Sequence, residues 1–170
     1  MSKSNPSIIV KAQCKYKHED GTQCKKITTY THPYCAAHTK KVFGLRVAPS
    51  QIKFAGLGLW AEKSFKKGEY VVEYAGERIT TKQYDERYGD EAYGSYGMGL
   101  STRTVIDARK TDSGLGRYVC DHYGSGLKPN VRYIVDKNKV QIEALRKIEP
   151  GEEFLVSYGA AMRKAMGIKK

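Results

Sequence analysis

The chain has 170 residues, which suits one main domain with a small appendage, and its 40% hydrophobic content is enough for one ordinary core. No apolar run approaches the ~20 residues that cross a bilayer, and the apolar stretch Ile8–Val10 is too short for a signal peptide. We therefore expect a soluble intracellular protein without a membrane partner.

The net charge of +12 is concentrated at the two ends of the chain. Residues 1–50 hold nine basic residues against Glu19 and Asp20, and residues 156–170 hold four basic residues and no acidic one. Basic ends attract polyanions and speed the encounter with them. The ends are expected either to contact nucleic acid or a nucleosome, or to be solvated termini that only favour solubility.

The N-terminal segment contains a candidate metal site. Cys14, Cys24, Cys35 and His38 follow the spacing C-x9-C-x10-C-x2-H, and three thiolates with one imidazole match a closed tetrahedral zinc site. Cys35 and His38 can lie on one helical turn, since residues i and i+3 share a face. A segment so short and polar needs a metal for stability. The sequence thus predicts a zinc-binding module over residues 1–46.

Two alternatives to this ligand set stay open. The thiols could be ordinary reduced cysteines of an intracellular protein, although three of the four cysteines fall within 22 residues beside a C-x2-H pair. His18 and His32 are competing ligands if one of the four is misassigned. The spacing also loosely resembles short Cys3His modules proposed to bind DNA.

We expect residues 47–160 to form a mainly β body. Short runs rich in Val, Ile and Tyr, bounded by Gly, Asp, Pro or Asn, predict strands. A helix is expected over residues 80–93, capped by Thr80 or Thr81, and residues 161–170 form a basic tail or a short helix. The predicted strands are Tyr70–Tyr74, Val105–Ile106, Arg117–Cys120, Val131–Val135 and Phe154–Val156.

No glycine-rich turn leads from a strand into a helix with helical crossovers following. This absence argues against a dinucleotide-binding layout and against the doubly wound methyltransferase layout that is similar to it.

Three segments of the body occur in the order of a known family: GLGLWAEKSFKKGEYVVEYAGERI (56–79), VIDARKTDSGLGRYV (105–119) with KPNVRY (128–133), and PGEEFLVSYG (150–159). Together they resemble the SET domain of protein lysine methyltransferases, over roughly residues 50–160. The resemblance implies a mainly β (α+β) SET fold of several small sheets with a knot-like C-terminal crossing. It also implies transfer of a methyl group from S-adenosylmethionine to a lysine of a protein, with a histone as the expected substrate and the nucleus as the expected location.

Tyrosines suit this chemistry. A charged amine is not a nucleophile, so a site with neutral hydrogen-bonding rings favours the reactive form of a lysine, packs its stem and orients its nitrogen. The chain has 13 Tyr against 4 Phe and 1 Trp. Packing within a strand is the alternative for any single tyrosine.

The resemblance selects three of them as catalytic residues. Tyr158 in VSYG matches the tyrosine beside the transferred methyl, Tyr74 in EYAG matches a tyrosine of the lysine channel, and Tyr133 falls where certain members place a third. The position two residues before the motif tyrosine is Val156, and a pocket filled by Tyr133 instead resembles members that stop at low methylation states.

For the methyl donor, the resemblance implicates the family's first motif, which here is Gly56, Leu57, Gly58, Leu59 and Trp60. Glycines allow the backbone to approach a ligand closely. The same residues are also suited to a tight turn between two strands.

The usual motif R-F-x-N-H-S-C-x-P-N is altered. Counting from Arg117 places Cys120 and Asp121 at the Asn-His positions, and a shift by one places Asp121 and His122 there; four extra residues then precede Pro129-Asn130. Cys120, Asp121, His122 and Tyr158 are therefore candidate donor contacts, with Asp121 able to accept a hydrogen bond from the donor's ammonium group. The alternative is a non-catalytic SET-like module that binds chromatin or nucleic acid.

The cysteine cluster that follows the SET domain in many relatives is absent, since no cysteine follows Cys120. Another element must then close the lysine channel. Residues 160–170 or a second copy of the chain, and hence a homodimer, are the two candidates.

Overall fold

Short strands dominate the regular structure of the chain. A computed structural model describes residues 7–89 and 96–159. The helices are Ala36–Phe43 (α1) and Thr81–Tyr88 (α2). The strands are Ala12–Gln13 (β1), Ile27–Thr28 (β2), Leu45–Pro49 (β3), Leu57–Ala61 (β4), Tyr70–Glu73 (β5), Glu77–Thr80 (β6), Gly97–Gly99 (β7), Thr104–Asp107 (β8), Cys120–Asp121 (β9), Val131–Asp136 (β10), Lys139–Ala144 (β11) and Leu155–Val156 (β12).

These strands form small sheets, as the mainly β prediction required. Two have three strands, in the orders β10-β11-β5 and β6-β8-β7, and the pairs β1-β2, β3-β4 and β9-β12 complete the described part. The β10-β11 hairpin turns through Lys137 and Asn138, which both have positive φ angles of 47° and 61°. Two consecutive positive φ values are what a tight two-residue hairpin needs to match the twist of its strands.

Helix α2 begins where the sequence predicted. Thr80 caps it with its side chain accepting from the backbone of Gln83, whose own side chain accepts from the Thr80 backbone. This capping box satisfies two otherwise unpaired amides. The helix ends at Tyr88 before Gly89, and the remainder of the predicted span beyond Gly89 lies outside the described residues.

The main core lies between β3-β4, the β10-β11-β5 sheet and the C-terminal segment. Phe65 and Phe154 meet edge to face with ring centroids 5.4 Å apart, and both are almost fully buried. Burial of each such side chain contributes about 1.5–3 kcal/mol relative to exposure. The other fully buried large side chains include Leu45, Leu59, Ile106, Ile142 and Ile148.

The C-terminal strand β12 contacts both ends of the connection that follows β9. β12 pairs in parallel with β9, and the His122 amide donates to the Val156 carbonyl at 3.0 Å. At the other end of the loop, the Asn130 amide donates to the Leu155 carbonyl at 2.9 Å. Residues 122 and 130 thus contact β12 from both ends of one connection, and the knot-like crossing implied by the family resemblance stays a prediction.

One predicted strand is wrong. Arg117 and Tyr118, the first two residues of the predicted strand Arg117–Cys120, belong to the 3₁₀ turn Gly116–Tyr118, and only Cys120 of that span belongs to β9. The physical reason is the buried Arg117 guanidinium, which donates to the carbonyls of Ala108 and Arg109 at 2.8 and 3.1 Å. In the 3₁₀ turn the backbone curves and directs the Arg117 side chain inward. In an extended strand, successive side chains would point to opposite faces.

Residues 7–10, which we call the N-terminal strap, join the first module to the body. The Ile8 amide donates to the Arg109 carbonyl at 3.0 Å, and the Val10 amide donates to the Thr111 hydroxyl at 2.8 Å. The Val10 carbonyl contacts His32 Nε2 at 2.8 Å. In the described ranges, neither helix has the length and apolar composition to cross a membrane.

Candidate functional site

The four predicted zinc ligands meet in one cluster. The ligand atoms of Cys14, Cys24, Cys35 and His38 lie within 4.8 Å of one another. His38 Nδ1 is 3.5 Å from Cys14 Sγ and 3.3 Å from Cys35 Sγ. Tetrahedral zinc with ordinary Zn–S and Zn–N distances places such atoms about 3.6 Å apart. Donor set and geometry therefore fit a zinc ion.

Local backbone structure places these ligands. The Cys14 amide bonds to the Lys26 carbonyl and the Cys24 amide to the Tyr16 carbonyl, both at 2.8 Å, so Cys14 and Cys24 lie on facing segments that continue β1 and β2. Cys35 directly precedes α1, which carries His38 on its first turn. The backbone of a folded hairpin and a helix start thus bring four distant residues together.

Neighbouring groups support the cluster. The Cys35 amide donates to Cys14 Sγ at 3.1 Å, a contact that stabilises a thiolate. Tyr16 stacks on the His38 ring with centroids 3.9 Å apart, which fixes the orientation of the imidazole. Of the two alternative histidines, His32 contacts the strap carbonyl of Val10, and the His18 ring lies edge-on to His38 at 5.4 Å.

The three predicted catalytic tyrosines also lie close together. Tyr74 follows β5, Tyr133 lies on β10, and Tyr158 follows β12. The rings of Tyr74 and Tyr133 meet edge to face with centroids 5.7 Å apart. Burial raises the pKa of all three phenols, and the nearby Tyr158 raises the pKa of Tyr74 and Tyr133 further. The cluster is therefore neutral and apolar, with oxygen atoms at defined places.

Two of the hydroxyls are oriented by backbone carbonyls. Tyr158 donates to the Val119 carbonyl at 3.2 Å, and Tyr74 donates to the Tyr96 carbonyl at 2.8 Å. Each phenol oxygen keeps lone pairs with which it can accept a hydrogen bond from an amine. Sequence reasoning missed Tyr96, which has a positive φ of 60°.

The predicted donor motif is a strand preceded by a glycine turn. Leu57–Ala61 forms β4, and Gly56 before it has a φ of 77° with no atom within 4 Å of the place where a Cβ would stand. Cys120 Sγ lies 3.5 Å from the Leu57 carbonyl. The Tyr158 hydroxyl donates to the carbonyl of Val119, which precedes Cys120, so the start of β4, Cys120 and the Tyr158 phenol occupy one region.

Glu153 fixes this region and was not singled out from the sequence. Its carboxylate is 2% exposed, accepts from the Ser50 hydroxyl at 2.5 Å and accepts from the Gln51 amide at 2.9 Å. A Cβ on Gly58 would collide with its Oε1. The acidic side chain thus ties the segment before β4 to the segment before β12.

The altered motif around residue 121 has internal partners. Burial raises the pKa of the Cys120 thiol to about 12, so this sulfur is a neutral packing group. The buried Asp121 carboxylate accepts from the Tyr158 amide at 3.3 Å. The His122 ring contacts the Leu127 carbonyl at 2.9 Å. Neither alignment brings an amide side chain to the Asn position of the usual motif.

The side-chain amide of Asn130 bonds to the backbone at the start of β12. Its Nδ2 donates to the Glu153 carbonyl and its Oδ1 accepts from the Leu155 amide, both at 2.8 Å. The side chain is 3% exposed. Asn130 therefore holds β12, and with it the segment that carries Tyr158, in place.

Comparisons with known proteins agree with this architecture. The SET domain family model matches residues 56–159. An N-lysine methyltransferase KMT5A-A of Danio rerio is 34% identical over 115 residues, which are 64% of this chain and 33% of that protein. The histone-lysine N-methyltransferase set-1 of Caenorhabditis elegans is 35% identical over 115 residues, covering 61% of this chain and 46% of that protein.

A larger relative and a solved structure extend the comparison. The histone-lysine N-methyltransferase EZH2 of Chaetomium thermophilum is 30% identical over 118 residues, which are 65% of this chain and 8% of that protein. A humanized mutant of the Chaetomium thermophilum Polycomb Repressive Complex 2 bound to the inhibitor GSK126 matches with a TM-score of 0.57 at 24% identity, over 68% of this chain and 15% of that chain. This chain thus spans less than half of the length of each of these relatives, and the structural match concerns the fold alone.

Proposed function

Because this chain belongs to the SET-domain family, we propose that it is a protein lysine methyltransferase that uses S-adenosylmethionine. The observation that carries the proposal is the neutral cluster of Tyr74, Tyr133 and Tyr158, which adjoins the start of β4 through Cys120. A phenol cluster beside a glycine turn offers an apolar passage for a lysine stem and open space for a donor.

The residues present fit the donor. The space beside Gly56 is open, the Leu57 carbonyl lies at the strand start, and the buried Asp121 provides a negative charge for an ammonium group. When bound, the donor supplies an electrophilic methyl on a positively charged sulfur. The residues that would hold it are Gly56–Trp60, Cys120, Asp121, His122 and Tyr158.

The tyrosines prepare the acceptor. Transfer of a charged lysine into a neutral, buried site disfavours its ammonium form, so the amine loses a proton to solvent before reaction. Tyr158, fixed by its bond to the Val119 carbonyl, accepts from the amine and aims its lone pair. With the donor bound, the nitrogen would form its bond to the methyl carbon while the carbon–sulfur bond breaks and leaves its electrons on sulfur.

The proposed substrate is a protein lysine, in the first instance on a histone. Support comes from relatives whose names specify N-lysine or histone-lysine methyltransferase activity. A histone substrate in turn places the protein in the nucleus. Closure of the lysine channel by residues 160–170, which lie outside the described part, or by a second copy stays a prediction.

The test is transfer of labelled methyl from S-adenosylmethionine to histones, compared between wild type and Tyr158→Phe. We expect the substitution to lower the rate roughly 10²-fold, as removal of one oriented group at a reacting centre does. Tyr70→Phe is the matched control, because this hydroxyl contacts Asp136 at the surface. Equal rates in wild type and Tyr158→Phe would contradict the assignment.

A second function is favoured by one observation. No amide side chain replaces the usual Asn near Cys120, and Asn130 is engaged at the start of β12. The chain would then be a SET-like module that binds chromatin or nucleic acid without catalysis. Calorimetry with S-adenosylhomocysteine distinguishes the two functions. Measurable binding supports a methyltransferase, and absence of binding supports a non-catalytic binding module.

A further inference from the structure

The zinc-binding module presents a two-stranded ribbon with a regular register. Ala12 pairs with Thr28, Gln13 with Ile27, and Lys17 with Gln23 in the antiparallel sense. Backbone bonds from Cys14 to Lys26 and from Cys24 to Tyr16 keep the same register between these pairs. It follows that Lys15 and Lys25 lie directly opposite each other.

The two faces of the ribbon differ sharply. Cys14 and Cys24 are buried on the side of the metal cluster, whereas Lys15 and Lys25 are exposed on the other side. Side chains alternate between faces along a strand, so the same outer face carries every second residue. We call its four exposed lysines the lysine ribbon: Lys11, Lys15, Lys17 and Lys25.

The positive charge of this face is not compensated within the described part of the chain. Elsewhere on the module, Lys40 and Arg46 share the carboxylate of Glu62 at 2.7 and 2.6 Å. None of the ion pairs among described residues includes a ribbon lysine. At the tip of the hairpin, the Asp20 carboxylate accepts from the amide and hydroxyl of Thr22.

This arrangement is unfavourable for the protein alone. Because the flanking pairs carry the backbone bonds, Lys15 and Lys25 form a non-hydrogen-bonded pair, in which Cα atoms are about 4.5 Å apart. Like charges directly opposite each other destabilise a strand pair. An external polyanion would relieve this repulsion.

We propose that the lysine ribbon is a binding surface for the phosphate backbone of nucleic acid. A two-stranded β-ribbon has dimensions that the major groove of duplex DNA admits. Lysines act as point charges toward phosphates, and neutralised phosphates release counterions, which drives binding. Ile27, 63% exposed and opposite Gln13, adds apolar surface on the same face. Binding at this face requires neither the methyl donor nor methyl transfer.

The experiment compares Lys15→Gln/Lys25→Gln with wild type in the full chain, by fluorescence anisotropy with a labelled 20-base-pair duplex over a salt series. We expect affinity at 0.1 M salt to fall at least about tenfold and the slope of log K against log salt to become shallower by about 2, or ~0.9 per lost phosphate contact. Lys66→Gln/Lys67→Gln, at two exposed lysines of the β4–β5 connection, is the charge-matched control and should keep the wild-type slope.

A second pair, Lys11→Gln/Lys17→Gln, tests the same face with different residues and should show the same direction of change. Zinc content and thermal midpoint establish that each variant is folded. The proposal is overturned if both ribbon variants bind the duplex as wild type does. It is also overturned if the wild type binds poly-glutamate in a ribbon-dependent way but no duplex, which would indicate an acidic protein partner. Methylation of a short peptide, measured in parallel, reports separately on the proposed enzyme.

Discussion

The three buried phenols determine how the proposed reaction should depend on pH. Their pKa values all lie above the ordinary value of 10, so Tyr74, Tyr133 and Tyr158 stay protonated through the working range. The group that titrates during the reaction is then the substrate amine.

We therefore expect kcat/KM to rise with pH between about 6.5 and 9.5, approaching tenfold per pH unit, because deprotonated lysine increases by that factor below its pKa of about 10.4. Steady-state rates across this range with a peptide substrate provide the measurement. A descending limb below pH 9 would mean that a phenol or another enzyme group ionises, contrary to this account.

Gly58 is required because Glu153 occupies the space beside it. A methyl group at this position would collide with the buried carboxylate, which is already held by Ser50 and Gln51. Gly58→Ala should therefore lower the free energy of unfolding by about 1–3 kcal/mol, as overpacking does. Urea denaturation measures this change.

The matched control is Gly99→Ala, because Gly99 lies on β7 with no atom within 4 Å of its Cβ position. Its unfolding free energy should stay within about 0.5 kcal/mol of wild type. If Gly58→Ala were as stable as this control, the anchoring role of Glu153 would be wrong.

Individual residues differed in how far sequence alone could place them. The Cys3His spacing predicted the cluster, and the structure brings its four ligand atoms together. Three thiols and an imidazole at such a spacing are typical of a zinc site. The tyrosines were identified through family motifs. Tyr96 and Glu153 were not, since their contribution depends on a backbone carbonyl and on a contact across about a hundred residues.

The N-terminal strap connects two elements that are far apart in sequence. Thr111 is fully buried, and its hydroxyl contacts the amide and the carbonyl of Val10 at 2.8 and 3.3 Å. Thr111→Val preserves the shape and removes both bonds, which leaves the half-buried Val10 amide without this partner. We expect a loss of about 1–3 kcal/mol in unfolding free energy.

Thr102→Val is the corresponding control, since Thr102 is exposed. Its effect should stay within about 0.5 kcal/mol. Hydrogen exchange of the Val10 amide gives an independent readout: faster exchange in Thr111→Val than in Thr102→Val is expected, and equal protection would show that the strap is held by other contacts.

Elements were predictable where local signals were strong. A cap at Thr80 or Thr81 predicted the start of α2, and runs of Val, Ile and Tyr predicted β5, β8, β10 and β12 to within about two residues. The 3₁₀ turn at Gly116–Tyr118 was missed because its cause is tertiary. A Cβ on Gly116 would press against the backbone of Glu73 and Tyr74, and Arg117 turns inward to distant carbonyls.

The Cys3His cluster lies apart from the main core, and we expect a metal to stabilise the segment around it. Purified protein should contain one zinc per chain, and Cys24→Ser should lose it, because three donors bind zinc much more weakly than four. Cys120→Ala should retain zinc, since this thiol packs beside β4.

Metal analysis together with thermal unfolding checks this expectation. Chelation should lower the thermal midpoint of wild type and leave that of Cys24→Ser unchanged. Zinc-free wild-type protein, purified without chelator and fully folded, would refute the assignment of the cluster.

The contact of β12 with both ends of the 122–130 connection has a consequence for the order of folding. The two strands of this parallel pair, β9 and β12, are some 35 residues apart, so closing it costs more chain entropy than any local hairpin. We therefore expect the β9–β12 pair to form late in folding, after the local hairpin of β10 and β11. Tyr158 follows β12 directly, so its position beside Tyr74 and Tyr133 would depend on that late pairing.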